Sequence, residues 1–335
     1  MKFFYQLIIF FFGLLMEIKK EEFLEFLNDV FQSFLSDHKL NSFPGNLPIS
    51  LQRNHLMQLP FGFVISNKTD GERSFLFICQ SAIFTINRNL DIEYLGKINT
   101  NNLYLFDAEI VTNLNLILIF DTLVFQSKNV LRTDITQRNE LARLFVSTQG
   151  KITKEDATFE SMRFPSAYPH AQLKIDHWVI ETKPLFQYHH LLDLYASQSR
   201  LPYDCDGIVF SRLWAAYKPF TQDPLSLIKW KPLTTIDFLV LDAPSVVNFV
   251  SIPKEFCEFQ VSNGNCALSL GPNEIFSFFD NDQFNEGAVV ECKWEKNKWV
   301  GIKIRKDKKN ANKLTTILKS LINIKDPIFL EDFIV

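Results

Sequence analysis

Lys68-Thr69-Asp70-Gly71-Glu72-Arg73 lies between two apolar runs, Phe63-Val64-Ile65 and Phe75 to Cys79. Both runs read as strands, and Asp-Gly is a strong turn signal, so the hexamer is where one strand hands the chain to the next. A lysine at a strand edge can point its amine into a cleft, and Arg73, beyond the turn, can return to the same cleft. Taken alone, the six residues also suit an ordinary exposed hairpin flanked by surface charges.

Outward from the hexamer the chain is strand-rich. Leu103 to Phe106, Leu116 to Phe120, Trp178 to Ile180 and Ile208 to Phe210 are short apolar runs separated by polar turns. Upstream, Phe23, Leu27, Val30, Phe31 and Phe34 recur with helical period, which predicts an amphipathic helix over 20–37, ended by Ser42-Phe43-Pro44-Gly45. Further helices are predicted over 136–146 and 187–198. Strands and helices do not alternate as βαβ units, so the expected class is α+β. Beyond Lys231-Pro232, residues 236–304 alternate short strands with Asn/Gly/Pro turns, the pattern of a small β-barrel.

The 335 residues are 47% hydrophobic and 22% charged, with 34 Phe and only 11 Gly, which excludes a disordered or collagenous chain and suits about two domains. The five cysteines are scattered without C-x-x-C spacing, so neither a zinc site nor a disulfide framework is encoded. Formal charge is uneven. Residues 291–319 hold ten Lys/Arg against three Asp/Glu and carry +7, leaving −10 for the rest of a chain whose total is −3. Such a segment suits a phosphate-bearing partner or simply a solvated basic face. At the start, Lys2 followed by Phe3 to Met16 has the outline of a signal peptide. Those 14 apolar residues are interrupted by Gln6 and Gly13, and Glu17 to Glu22 stand where a small-residue cleavage site would be. A membrane span needs roughly 20 residues. Residues 1–19 are therefore read as an apolar extension, with Met16 an alternative start, and no membrane partner is expected.

Five further elements follow the hexamer in order: Phe106-Asp107-Ala108-Glu109, Ile119-Phe120-Asp121, Asp204-Cys205-Asp206-Gly207, Leu227-Ile228-Lys229-Trp230-Lys231-Pro232 and Arg305-Lys306-Asp307-Lys308 to Asn312. In this series the sequence resembles the covalent nucleotidyltransferases, and among them the mRNA capping enzymes, GTP:RNA guanylyltransferases. The resemblance covers roughly 42–316. It includes Phe43-Pro44-Gly45 with Pro48-Ile49-Ser50, which looks like the capping enzymes' F-P-G-x-x-P-V-S segment and is not a feature of ligases. It implies a ligase-like, antiparallel-sheet nucleotidyltransferase domain over 20–236, an OB-fold lid over 237–316 and a C-terminal tail or helix over 317–335.

The chemistry of these residues agrees with that resemblance. A lysine amine, of reference pKa about 10.4, must shed its proton before it can attack. Arg73, Lys229, Lys231 and a divalent ion would disfavour a protonated Lys68 and neutralise a triphosphate. Attack on the α-phosphate would release pyrophosphate and leave a lysyl-GMP on Lys68, which the 5′-diphosphate end of an RNA would then take as GpppRNA. Glu109 and Asp206 are hard oxygen ligands suited to Mg²⁺ or Mn²⁺. By resemblance, Glu109 and Arg73 hold the ribose, Phe120 stacks on guanine, and Asp237 is an acidic residue paired near Lys229 and Lys231. Arg305, Asp307 and Lys308 reach the nucleotide when the lid closes, which brings Arg305 and Lys308 to the β- and γ-phosphates. On a strand Lys229 and Lys231 would share one face. Lys174 is the candidate for reading guanine O6.

The family's usual D-G-E is Asp107-Ala108-Glu109 here, and its P-N is Ala311-Asn312. The alternative readings are an ATP-dependent polynucleotide ligase and a catalytically silent RNA-end-binding subunit. The partners implied are GTP, diphosphate-ended RNA, a separate RNA triphosphatase, a cap methyltransferase and the RNA polymerase II C-terminal domain. The compartment implied is the nucleus, with cytoplasm or a viral factory as alternatives.

Overall fold

The computed structural model describes residues 18–35, 39–153, 160, 162–220, 223, 225–239, 248–250, 260–263, 267–269, 275–277, 288–295, 298–306, 308–312 and 314–334. The expected apolar extension up to residue 17, residues 36 and 37 of the predicted first helix and the site candidate Asp307 lie outside the described residues, and that helix stops at Phe31, short of its expected length. The chain divides into two compact units, one holding 1–51 and 55–230, the other 52–54 and 231–335.

The first unit opens with α1 (Lys20–Phe31), whose Glu22 carboxylate accepts from the Lys19 backbone N–H at 3.1 Å and so satisfies one N-terminal donor. After it come β1 (Ile49–Ser50), β2 (Phe63–Thr69), β3 (Glu72–Cys79), β4 (Ala82–Asn87), β5 (Ile92–Lys97), β6 (Tyr104–Val111), β7 (Leu116–Phe125) and β8 (Lys128–Asn129). Then follow α2 (Ile135–Gln149), β9 (Lys151–Ile152), β10 (Ala171–Ile175), β11 (Trp178–Thr182), β12 (Phe186–Gln187), α3 (Leu191–Ser197), β13 (Cys205–Arg212) and β14 (Leu227–Trp230).

These strands make two sheets, β5-β4-β3-β6-β7-β11-β10-β9, with β8 on β7, and β1-β14-β13-β2-β12. The pairs are antiparallel except β7 with β11 and β1 with β14. β2 and β3 belong to different sheets, so the hexamer is not a hairpin. Asp70-Gly71 carries the chain from one sheet to the other, and that crossing puts Lys68 and Arg73 on separate sheets.

The abundance of phenylalanine has a local purpose. Phe23 and Phe26 of α1 lie 5.2 and 5.0 Å, centroid to centroid, from Phe77 of β3, and Phe43 stacks on Phe75 at 4.1 Å. Each such pair adds about 0.5–1.5 kcal/mol beyond the area it buries. The second face of the larger sheet is closed by α2 through Phe145 and Val146. This helix starts at Asp134, whose carboxylate accepts from Gln137 N–H at 2.8 Å, and stops at Gly150, where a Cβ would meet Gln172 O at 2.3 Å.

In the second unit, β15 (Thr235–Leu239) begins within a few residues of the switch at Trp230/Lys231. The strands Asn248–Val250, Gln260–Asn263, Ala267–Ser269 and Ile275–Ser277, here β16 to β19, form one antiparallel sheet. A second has the order β15, β20 (Val289–Glu295), β21 (Lys298–Ile304). α4 (Leu314–Lys325) sets Ile317 and Leu321 against Ile236, Phe238, Val290 and Cys292. Arg53 belongs to this unit, hydrogen-bonding to Asp326 at 2.9 Å, Asp332 at 2.9 Å and the Pro327 carbonyl at 2.8 Å.

Candidate active site

A cavity of about 150 Å³ lies between the two sheets of the first unit. Ser66, Lys68 and Thr69 of β2, Val209 and Ser211 of β13 and Leu227 of β14 line one side; Arg73 of β3, Glu109 of β6 and Phe120 and Asp121 of β7 line the other.

The bond that places Lys68 depends on a strand irregularity. β2 and β13 pair as Thr69 with Cys205 and Asn67 with Ile208, leaving Asp206-Gly207 as a bulge, with Gly207 at φ +146. A bulge re-aims side chains locally. Here it turns Asp206 toward Lys68, and Lys68 Nζ donates to Asp206 Oδ1 at 2.6 Å. Gly71 is needed for a different reason: a Cβ there would lie 2.7 Å from the Ile110 carbonyl, so only glycine lets the crossing pass this close to β6.

Arg73 and Glu109 are register partners on adjacent strands, so their side chains share a sheet face and both reach the cavity. The Arg73 guanidinium is buried. Its Nε and Nη2 donate to Asp107 at 2.9 and 2.5 Å and Nη1 donates to the Asn46 carbonyl at 2.6 Å. Tyr217 donates to Asp107 Oδ2 at 2.5 Å and accepts from Asn46 N–H at 3.1 Å. Burial opposes the charge on Arg73, but Asp107, Tyr217 and Glu109 outweigh it and hold its pKa above the ordinary value. Burial, reinforced by Asp107, pushes the Tyr217 hydroxyl well up. The Phe43-Pro44-Gly45 segment gains a physical meaning here: a Cβ on Gly45 would sit 2.9 Å from Arg73 Cζ and 2.5 Å from the Phe43 ring. Ala108, in place of the usual glycine, sits in β6 without positive φ, at a register shift against β7.

Phe120 has two cations on its ring, Arg73 at 5.4 Å and Lys183 at 5.5 Å. Lys174, the expected O6 reader, is exposed on β10 and does not line the cavity, whereas Lys183 does. Lys183 follows β11, is buried, and lines the cavity; burial lowers its pKa, and Lys68 lowers it further, against Glu109 and Asp206. A second buried pair was also missed. Arg138 of α2 donates to Asp121 at 2.7 and 3.2 Å, and both line the cavity. The available signal was an arginine on the inward face of an amphipathic helix. Burial, together with Asp107, raises the Asp121 pKa against the pull of Arg138.

Two buried oxygens on the cavity wall, Asn46 Oδ1 and Thr69 Oγ1, have no hydrogen-bond partner among the described residues. Such atoms are uncommon in folded proteins and fit a polar ligand.

Lys229 is half-buried on β14, but the strand ends at Trp230, so the shared-face argument does not reach Lys231, which belongs to the second unit. Asp237 is held by partners of its own unit. It accepts from Arg305 Nη1 at 3.2 Å, from Lys308 Nζ and from Asn312 Nδ2 at 3.2 Å, while its backbone N–H donates to Asn312 Oδ1 at 2.8 Å. Asn312, which follows alanine where the family has proline, thus ties the basic segment to β15. Among the described residues there is no cluster of three or more His, Cys, Asp or Glu able to hold a metal by itself.

Known proteins similar to this chain are found among capping enzymes. The model of "mRNA capping enzyme, catalytic domain" matches residues 16–233, and that of "mRNA capping enzyme, C-terminal domain" matches 235–334. The mRNA-capping enzyme subunit alpha of Saccharomyces cerevisiae is 24% identical, over 87% of this chain and 77% of its own. Its counterpart in Schizosaccharomyces pombe is 23% identical, over 88% and 79%. Among solved structures, a mycobacterial DNA ligase D complexed with ATP and MES aligns with 79% of this chain and 95% of its own at 12% identity and a TM-score of 0.47.

Proposed function

The chain belongs to the mRNA capping enzyme family and is an mRNA guanylyltransferase, and from that premise we propose how its residues divide the reaction. Lys68 is the nucleophile. Its Nζ attacks the α-phosphorus of GTP, a P–N bond forms, the bond to the β-phosphate oxygen breaks, and pyrophosphate leaves. The amine must first give up a proton, and Asp206 Oδ1, already accepting from Nζ at 2.6 Å, is placed to receive it. In the second step a terminal oxygen of diphosphate-ended RNA attacks the same phosphorus, the P–N bond breaks, and Nζ is reprotonated as GpppRNA departs.

Arg73 and Glu109, side by side on the cavity face, hold the ribose. Phe120 takes the guanine on its ring, and the Lys183 ammonium, 5.5 Å from that ring, addresses O6, an acceptor that adenine replaces with a donor amine. Glu109 and Asp206 would be the oxygen donors for Mg²⁺ or Mn²⁺; a site with few carboxylates suits an ion that keeps waters and substrate phosphates in its shell. When bound, the ion would neutralise phosphate charge. Lys229, Lys231, Arg305 and Lys308 supply the remaining positive charge for the triphosphate, with Asp237 positioning the last two. A triphosphatase acting before this step and a cap methyltransferase acting after it are the partners.

The observation that carries the proposal is the pairing of Lys68 with Asp206 at a cavity whose opposite wall presents Arg73, Glu109 and Phe120. Incubation with GTP or ATP labelled at the α-phosphate, then a denaturing gel, tests it. GTP should label the chain, and Lys68→Ala should abolish the label. Preference for ATP would favour the ligase reading, and no label from either nucleotide the silent-subunit one.

A further inference from the structure

The turn that follows β13 forms part of the cavity wall on one side and faces solvent on the other. Arg212, Ala215 and Ala216 line the cavity, while Trp214, between them, is 76% exposed. Arg212 is the register partner of Phe63, so the chain leaving β13 and the chain entering β2 run side by side here, and Leu213 N–H donates to the Gly62 carbonyl at 2.8 Å. Gly62 has φ +101, and a Cβ on it would lie 3.1 Å from Trp214 Cζ3, so the indole rests against bare backbone. Phe61, the next residue back, is 83% exposed. Two large rings are thus held at one end of the sheet, next to the cavity and open to water. Arg212 and Arg88 are exposed and also line the cavity, which places them at its mouth.

We propose that Trp214 and Phe61 are a stacking platform for the first nucleotides of the acceptor RNA, with Arg212 and Arg88 on the phosphates that lead from it into the cavity. The inference rests on the guanylyltransferase reading and names the acceptor subsite of that site. An enzyme that caps many transcripts must accept any 5′ sequence, and ring stacking is sequence-tolerant because every base has a π-face. Phosphate contacts fix orientation and carry no sequence information. The neighbouring charge is guanidinium, which complements an RNA end, and Trp214 stands on the turn whose Arg212, Ala215 and Ala216 line the cavity that holds Lys68.

The full chain and its Trp214→Ala, Phe61→Ala and Trp214→Phe variants are to be compared in three measurements. Labelling by GTP should be the same in all four. Transfer from the labelled chain to diphosphate-ended oligonucleotides should show KM raised about tenfold in Trp214→Ala and less in Phe61→Ala, with kcat little changed and Trp214→Phe close to the parent. The parent should gain affinity as the acceptor grows from one nucleotide to about five, and Trp214→Ala should lose that gain. Binding of a diphosphate-ended oligonucleotide, followed by fluorescence anisotropy, reads the platform without the chemistry. Equal RNA binding and equal KM in parent and Trp214→Ala would overturn the proposal and leave the rings to a protein partner. Equal loss of GTP labelling and RNA transfer would also overturn it, by assigning Trp214 to the nucleotide site or the fold. A parent that binds RNA through Trp214 but takes no label would leave the platform standing and refute the guanylyltransferase reading.

Discussion

Each unit contains a cluster built on one aspartate that gathers cationic side chains, and the two clusters differ in what water can reach. In the first, Asp107 is fully buried and Arg73 is 7% exposed, with Tyr217 and the Asn46 carbonyl completing the set. In the second, Asp237 is buried but its cations Arg305 and Lys308 are 22% and 28% exposed. A buried pair cannot trade partners without leaving a charge in low dielectric, so the Arg73 cluster is a fixed wall. A partly exposed cation can exchange a carboxylate for another anion at lower cost, which is what the proposed role of Arg305 and Lys308 at the triphosphate requires. One fold thus uses the same chemistry for permanence and for exchange, and burial decides which.

The largest effect should come from breaking the permanent cluster. Asp107→Ala leaves the Arg73 guanidinium buried without its anion, and removing one member of such a pair costs about 3–5 kcal/mol. The thermal melt should fall by roughly 10 °C, or the protein should fail to accumulate. Asp237→Ala should lower the melt by only about 3 °C, because solvent can take over the cations it releases. Equal losses, read by differential scanning calorimetry, would erase the contrast drawn between the clusters.

The exchangeable cluster should instead show itself in the reaction. Arg305→Ala and Lys308→Ala should slow formation of the labelled lysyl adduct by about a hundredfold, since their contribution falls where charge develops on the leaving pyrophosphate. Adduct already formed should still pass GMP to diphosphate-ended RNA at near the parent rate. Rapid-quench measurement of the two half-reactions separates these steps. Loss confined to RNA transfer would make the basic segment an RNA contact rather than a partner of the triphosphate.

Local pattern carried most of the fold. The strand runs, the amphipathic first helix and the change of character after Lys231 are all periodicity or turn signals, and the structure has elements at each. The crossing at Asp70-Gly71 was not legible, because a two-residue turn has the same sequence whether its strands pair or part; only the distant partners of β2 and β3 decide that. The site divides similarly. Lys68, Arg73, Glu109 and Phe120 could be read from ordered motifs, and all line the cavity. Lys183 could not, since a lysine after a strand ordinarily reads as an exposed end, and its burial against Phe120 depends on the parallel pairing of β7 with β11, far apart in sequence. The resemblance puts Asp237 near Lys229 and Lys231, while its partners Arg305 and Asn312 lie in a segment whose position relative to β15 no spacing rule gives.

Lys183 offers the smallest and most discriminating test, because it belongs to neither extreme: it is as buried as Arg73 yet has no hydrogen-bonded carboxylate among the described contacts. Burial lowers its pKa, so the folded chain binds a proton there less readily than the unfolded chain does. The cost of the buried ammonium is therefore fully present below the lowered pKa, and it disappears as pH rises from there through the ordinary lysine value of about 10.4. Lys183→Met should raise the melt by about 2–4 °C near neutral pH. That gain should shrink as pH is raised toward 10, where the parent's amine sheds its proton and its own stability recovers. The same variant should lose about tenfold in labelling by GTP while labelling by ATP changes little, because methionine offers no donor to O6. Melts across the alkaline range, paired with competition between the two nucleotides, measure both at once. A variant less stable than the parent would mean that Glu109 and Asp206 need this cation more than burial opposes it, and would move Lys183 into the same class as Arg73.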